Sequence, residues 1–303
     1  MFLKAAFKNA SLFVQILMLL AVSAFGMFFS FFLFQILIAT KAGISPEIIK
    51  NIQQNIFDYP NILRGVSFLQ TLCIFLFPAI ICAWLFSDNY KEYLGIEQTF
   101  TISVSIWTAI SMIVAIPFIN SMISLNHQIV FPEALKNIET LLKEMEESAN
   151  KAYNLLLDTK SIPEIIFNFL FICVIVAICE EFMFRGLLQK LLGRMFKNPH
   201  ILIWIVAILF SVLHRQFYGL LPRMLLGVWL GYLMYYTKSI WIPVLAHFVN
   251  NFIGVGWYYI FPNSPDEMEI IDTIGTGSTW WLAFASLALF FFCFSRIKKA
   301  ISQ

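Results

Sequence analysis

Charge is what this chain has least of. Of its 303 residues only 13% are Asp, Glu, Lys or Arg, about half the share of an ordinary soluble domain. A water-soluble fold of this length needs more polar surface than that can supply. The 20 basic and 18 acidic residues nearly cancel, and no basic block is present that could follow a phosphate backbone, which excludes nucleic acid as a partner. CxxC spacing is missing. The five cysteines, Cys73, Cys82, Cys173, Cys179 and Cys293, each lie in an apolar run and read as small packing residues, with no disulfide framework or thiolate metal site among them. HExxH and a serine nucleophile elbow are absent too, so neither a zincin-type metallohydrolase nor a serine hydrolase has its usual motif.

What fills the space is hydrocarbon: 60% of residues are hydrophobic and 17% aromatic, with 33 Phe. Eight apolar segments are predicted, at 12–39, 65–86, 100–122, 162–192, 199–214, 220–236, 240–260 and 280–294. Several exceed the roughly 18 residues that mark a membrane span. They are continuous where a barrel strand would alternate, so they are helices. The expected fold is all-α, a polytopic membrane helix bundle of about eight transmembrane helices, forming one integral membrane domain over residues 1–303. The first run is too long for a signal-peptide core of ~7 to 15 residues and reads as a retained span.

An even number of spans puts both termini on one side, with Lys4, Lys8, Lys190, Arg194, Lys197, Lys238, Arg296, Lys298 and Lys299. The loop 263–277 on the other side carries Asp266, Glu267, Glu269 and Asp272 with no basic residue. The positive-inside tendency then makes both termini cytoplasmic. Localisation to a plasma membrane, bacterial inner membrane in kind, is the expectation. Trp257, Tyr258, Tyr259, Trp280 and Trp281 form an aromatic belt on the far side. Between the third and fourth segments, residues 132–156 carry Leu135, Ile138, Leu141, Leu142, Met145 and Ala149 at helical spacing, opposite Lys143, Glu144, Glu146 and Glu147. This predicts an amphipathic helix opened by Pro132 and lying on the bundle or at the interface.

A few polar residues stand where none is expected. A charge at mid-membrane costs at least ~2.5 kcal/mol on the insertion scale, so each needs a reason. Glu180, Glu181 and Arg185 lie in CEEFMFRG, His214 in FSVLH, and His247 and Asn251 in HFVNN. At 1.5 Å per residue, counted from the basic end of each segment, Glu180 and Asn251 come to ~18 Å depth, His214 to ~22 Å and His247 to ~12 Å. Three segments thus deliver a carboxylate, two imidazoles and an amide to a similar layer. Glu181 and Arg185 are i and i+4, as are His247 and Asn251, so each pair shares a helix face, while Glu180 is turned about 100° from Glu181. Phe210, one turn before His214, shields that ring. A carboxylate in an apolar cavity beside an imidazole is suited to activate water. An imidazole N–H and an amide N–H are suited to hold the oxyanion of an attacked carbonyl. The set suffices for peptide hydrolysis without a covalent intermediate, and Ser211 has no base at triad spacing.

At these residues the chain resembles the CPBP family, the CAAX proteases and bacteriocin-processing enzymes also called Abi proteins. EExxxR appears as Glu180-Glu181-Phe-Met-Phe-Arg185, FxxxH as Phe210-Ser-Val-Leu-His214, and HxxxN as His247-Phe-Val-Asn-Asn251. The resemblance spans about 162–260, the expected catalytic core. It implies an intramembrane glutamic endopeptidase in which Glu180 activates water with His214, His247 and Asn251 form the oxyanion site, and Glu181 with Arg185 support them. It implies a hydrophobic or lipid-attached peptide as substrate, the bilayer as partner, and no cofactor.

Three other readings of the same residues stand beside it. One is a zinc hydrolase held by Glu and two His, disfavoured because the histidines are isolated on different segments. The others are a transporter or proton relay, which expects a polar path or inverted repeats, and a non-catalytic membrane scaffold. Glu181 with Arg185 also reads as a structural ion pair, and Gly227 with Gly231 as a close-packing GxxxG. Pro117 is expected to kink the third segment. His127 and His200 read as loop or interface residues.

Overall fold

The computed structural model describes residues 3–42, 46–261 and 273–302. In chain order the helices are α1 (Leu12–Ala42), α2 (Pro46–Gln54), α3 (Pro60–Phe86) and α4 (Tyr90–Leu94). Then come α5 (Ile102–Val114), α6 (Ile116–His127), α7 (Lys136–Leu157) and α8 (Ile162–Leu192). The last four are α9 (Pro199–Leu213), α10 (Leu220–Thr237), α11 (Trp241–Ile260) and α12 (Trp281–Ile301). No strand occurs among the described residues.

Every apolar segment expected from the sequence falls on helix, but not every one is a span by length and apolarity. α1, α3, α8 and α12 are long and apolar enough to cross a membrane, and α5 with α6 make a fifth if that bent pair is one span. The expectation of about eight is therefore met only in part. α9 has 15 residues, about 22 Å of helix against a hydrocarbon core of roughly 30 Å. α10 and α11 are longer, but their apolarity is diluted by Arg223 in one and by His247, Asn250 and Asn251 in the other. On α1, Phe13, Phe25, Phe28 and Phe32 are all more than half exposed. A helix apolar all round with such a surface belongs in lipid. This is an integral membrane protein.

The helices sort into two compact units, residues 1–94 with 150–195, and residues 95–149 with 196–303. In the first, α1 crosses α3 so closely that a side chain at Gly26 would meet the Cys73 carbonyl oxygen at 1.9 Å. That carbonyl belongs to a π-helical stretch, Leu72–Leu76, within α3. Phe68 of α3 packs on Phe167 and Phe171 of α8, and Phe75 packs on Phe184. Buried Arg64 pairs with Glu164 at 2.7 Å and donates to the Leu156 carbonyl at 2.9 Å, fastening the end of α7. Outside the spans, Lys8 forms an ion pair with Asp88. The hydrogen bond and charge of that ammonium hold the Asp88 carboxyl below the usual carboxylate range.

In the second unit, α9 and α10 are joined by a short loop and packed closely, because Gly227 faces Ala207 and Phe210; a Cβ there would lie 3.1 Å from the Ala207 Cβ. This is the close packing expected of that glycine. A core of Val104, Met112, Leu230, Leu233, Ile242 and Ala246 joins α5, α10 and α11. The third expected segment is broken by a 43° bend between α5 and α6. Pro117 has no N–H and disfavours continuation of the helix through its ring. A second cause was not visible in sequence: the Phe118 N–H donates to the buried Ser286 hydroxyl at 3.3 Å, and that hydroxyl donates to the Val114 carbonyl. An α12 side chain thus stands where the i to i−4 bond of the bend would have been.

The amphipathic segment expected at about 132–156 is helical. Pro132 precedes a 3-10 turn, Glu133–Leu135, and the α-helix begins only at Lys136. Leu135, Ile138 and Leu141 of its apolar face are exposed, whereas Leu156 and Leu157 at its far end are buried. The acidic positions 266, 267, 269 and 272 used to assign sidedness lie outside the described residues. Of the aromatic belt, Trp257, Tyr258 and Tyr259 occupy the last turns of α11, and Trp280 and Trp281 the start of α12.

Ser286→Ala leaves the Phe118 N–H and Val114 carbonyl without their bridge inside the protein. The expected cost is about 1–3 kcal/mol, seen as a lower melting temperature in detergent; an unchanged melting temperature contradicts this account of the bend.

Candidate active site

Glu180, Glu181 and Arg185 sit on α8 in the first unit, all buried. Arg185 Nη1 donates to Glu181 Oε1 at 2.8 Å, and neither side chain is exposed to solvent. The i, i+4 pairing expected from the spacing is present, and Phe184 lies against the guanidinium at 5.8 Å. Glu180, one residue earlier, keeps 8% exposure where Glu181 has none, as its rotation about the helix requires. The helix is not regular here. It is π-helical over Phe169–Ile175 and again over Phe182–Leu188, so the second stretch starts directly after Glu181 and contains Arg185. π-helical turns are uncommon and concentrate at functional sites.

His214, His247 and Asn251 belong to the second unit. His214 caps the C-terminus of α9, and its Nδ1 donates to the Phe210 carbonyl at 2.7 Å. A carbonyl can only accept, so Nδ1 carries the hydrogen in this contact and Nε2 of the neutral ring is left as the acceptor. The chain turns sharply away at Arg215, whose φ of 58° lies in the left-handed region that favours glycine. His247 is buried on α11, one turn from Asn251. The Phe210 ring touches both imidazoles, edge to face, at 4.7 Å from His214 and 6.1 Å from His247. The residue expected only to shield one histidine therefore brings two together.

Sequence reading left three contributors unassigned. Asn250 donates to Asn251 Oδ1 at 3.2 Å. That contact makes Nδ2 the donating edge of the Asn251 amide. The loop after His214 is pinned from α6 by the buried Asn126, which donates to the Phe217 carbonyl at 2.8 Å and accepts from the Leu221 N–H at 3.0 Å. It is pinned from α7 by Glu146, which accepts from the Tyr218 N–H at 2.7 Å. His127 stacks on Tyr218 at 4.9 Å, and His200 meets the Tyr232 hydroxyl at 2.6 Å. A single asparagine near the end of an apolar helix carries no periodic signal, so nothing in the sequence marks Asn126 for this role. Ser211 donates to the Leu220 carbonyl at 2.6 Å and so ties α9 to α10. Among the described residues, no group of three or more His, Cys, Asp or Glu side chains is arranged to hold a metal ion.

With this geometry in hand, comparison with known proteins is informative. Residues 162–253 match the family model described as Type II CAAX prenyl endopeptidase Rce1-like. That segment is similar to the CAAX proteases, over about 30% of the chain. It contains all three motifs, from Glu180 to Asn251. The uncharacterized protein YpbD of Bacillus subtilis (strain 168) is 31% identical over 97 residues, which cover 30% of this chain and 43% of the length of that relative. No solved structure gives a significant match.

Removing one partner of the Glu181–Arg185 pair strands a buried charge. Arg185→Leu should lower stability by about 3–5 kcal/mol, while the double variant Glu181→Leu with Arg185→Leu should recover most of it. Unfolding of the three proteins in a mild detergent checks this; equal stability of the single variant and the parent would contradict a structural ion pair.

Proposed function

We propose that this protein is an intramembrane endopeptidase of the CAAX type that hydrolyses its substrate with water and without a resident metal ion. The observation that carries the reading is the Rce1-like match over 162–253, because every acid, imidazole and amide singled out on chemical grounds falls inside it. In this reading the Glu180 carboxylate, with His214 Nε2 as a second acceptor, takes a proton from water as the water oxygen bonds to the peptide carbonyl carbon. The carbonyl oxygen becomes an anion and accepts hydrogen bonds from His247 and from Asn251 Nδ2. Collapse of the adduct breaks the C–N bond, and the proton held by the acid–imidazole pair passes to the leaving amine. The Nδ1 contact of His214 with Phe210 supports the acceptor role of Nε2, and the Asn250 contact supports the donor role of the Asn251 amide.

Glu181 and Arg185 then act as positioning residues that hold α8 through its π-helical stretch. The substrate class we propose is a hydrophobic or lipid-attached peptide, a prenylated C-terminal tail or a leader peptide being examples, reached from within a bilayer. A plasma-membrane location with both termini cytoplasmic completes the proposal.

Cleavage of a prenylated reporter peptide by the purified full chain tests it. Glu180→Gln and His214→Ala should each abolish detectable turnover, and the double variant should be no worse than either single one, as expected of groups acting as a unit. His247→Ala should slow turnover by about 10²-fold or more. Wild-type rates for Glu180→Gln and His214→Ala would end the assignment. Lasting loss of activity after chelation, restored by zinc, would replace it with a metal-dependent reaction.

A further inference from the structure

The second unit holds a cavity of about 420 Å³ between the α5–α6 bend, α10 and α12, within the ~300–1,000 Å³ range of small-ligand pockets. Leu225, Trp229 and Tyr232 of α10 and Leu287, Phe290 and Phe294 of α12 supply much of its wall. Along α10 the lining runs from Leu225 to Tyr236, a rise of about 16 Å.

One end differs from the rest. The Tyr232 hydroxyl meets His200 Nδ1 at 2.6 Å, and the Tyr232 and Tyr236 rings stack at 6.1 Å. Lys298 Nζ stands 4.7 Å above Tyr236 and 5.2 Å above Phe294. Tyr232, Tyr236, Phe294 and His200 all line the cavity. The contact chain from His200 through Tyr232 and Tyr236 to Lys298 therefore marks a single polar mouth. Among the described residues Lys298 makes no ion pair. Its exposed ammonium is held only over aromatic faces.

We propose that this cavity is a binding site for an anionic phospholipid, with one acyl chain along α10 and the phosphate at the mouth, held by Lys298, His200 and the Tyr232 hydroxyl. An anion offers the Lys298 ammonium a charge partner that a neutral ligand would not, and a water-soluble anion would leave the apolar length unfilled. Basic groups at a pocket between membrane helices are suited to phospholipid headgroups, each contributing about 1 kcal/mol near the surface. The inference stands apart from the proposed peptidase chemistry, since none of these residues takes part in it.

The test is native mass spectrometry of the full chain released from nanodiscs of equal parts phosphatidylglycerol and phosphatidylcholine. Phosphatidylglycerol should be retained in preference, and Lys298→Gln should reduce that preference about fivefold. Lys298→Arg should preserve it, and Val228→Phe, which fills the cavity, should reduce retention of both lipids. Equal retention of the two lipids, or a preference unchanged in Lys298→Gln, would overturn the proposal. So would displacement of the lipid by millimolar inorganic phosphate alone, since the tail would then contribute nothing. If Lys298→Gln does not fold, the Lys298→Arg and Val228→Phe results still decide the matter.

Discussion

Polar atoms carried into hydrocarbon must be answered inside the protein, because lipid offers no hydrogen bonds in exchange. This constraint shapes most of the irregular features of the structure. The Ser286 hydroxyl fills the gap that the Pro117 bend opens between Val114 and Phe118. Ser211 answers the Leu220 carbonyl where α10 begins, and Asn126 answers both a carbonyl and an N–H of the loop between α9 and α10. Arg185 and Glu181 answer each other. Each contact is local, but together they fix where helices bend and end. That in turn sets where the buried acid, imidazole and amide side chains stand.

The site illustrates the consequence. His214 occurs at a helix end, where the last carbonyls lack intrahelical partners, and its Nδ1 contact with Phe210 uses one of them. The same bond that finishes the helix leaves Nε2 as the acceptor of the neutral ring. On α8 the π-helical stretch after Glu181 alters the phase of the side chains that follow, so the Arg185 contact is made on a widened turn. A helix that keeps such a stretch gives up regular hydrogen bonding for side-chain placement. The close approach of α9 and α10 at Gly227 extends the same logic, since a side chain there would press on Phe210, the ring that touches both histidines.

Much of this was legible from residue type and spacing. Scarce charge and long apolar runs make the chain an all-helical membrane protein. The i, i+4 pairs require shared helix faces, which is why the Glu181–Arg185 contact could be anticipated. Pro117 marks a bend because a ring without an N–H cannot be accommodated quietly in a helix. The count of spans was less legible: the segments at 199–214, 220–236 and 240–260 are helices, but α9 has only 15 residues and α10 and α11 carry polar groups, so apolar character alone overstated them as spans.

The sequence by itself determined the fold class, the helical positions of Glu180, Glu181, Arg185, His247 and Asn251 and the pairing of Glu181 with Arg185, since these depend only on composition and on the fixed geometry of a helix. Tertiary structure alone decided that Ser286 completes the bend, that Phe210 joins two imidazoles, that Asn126 anchors the loop after His214, and that Lys298 stands over Tyr236. The physical reason is the same in each case. These contacts join residues distant in sequence, and their partners are set by how helices pack, which no local period encodes.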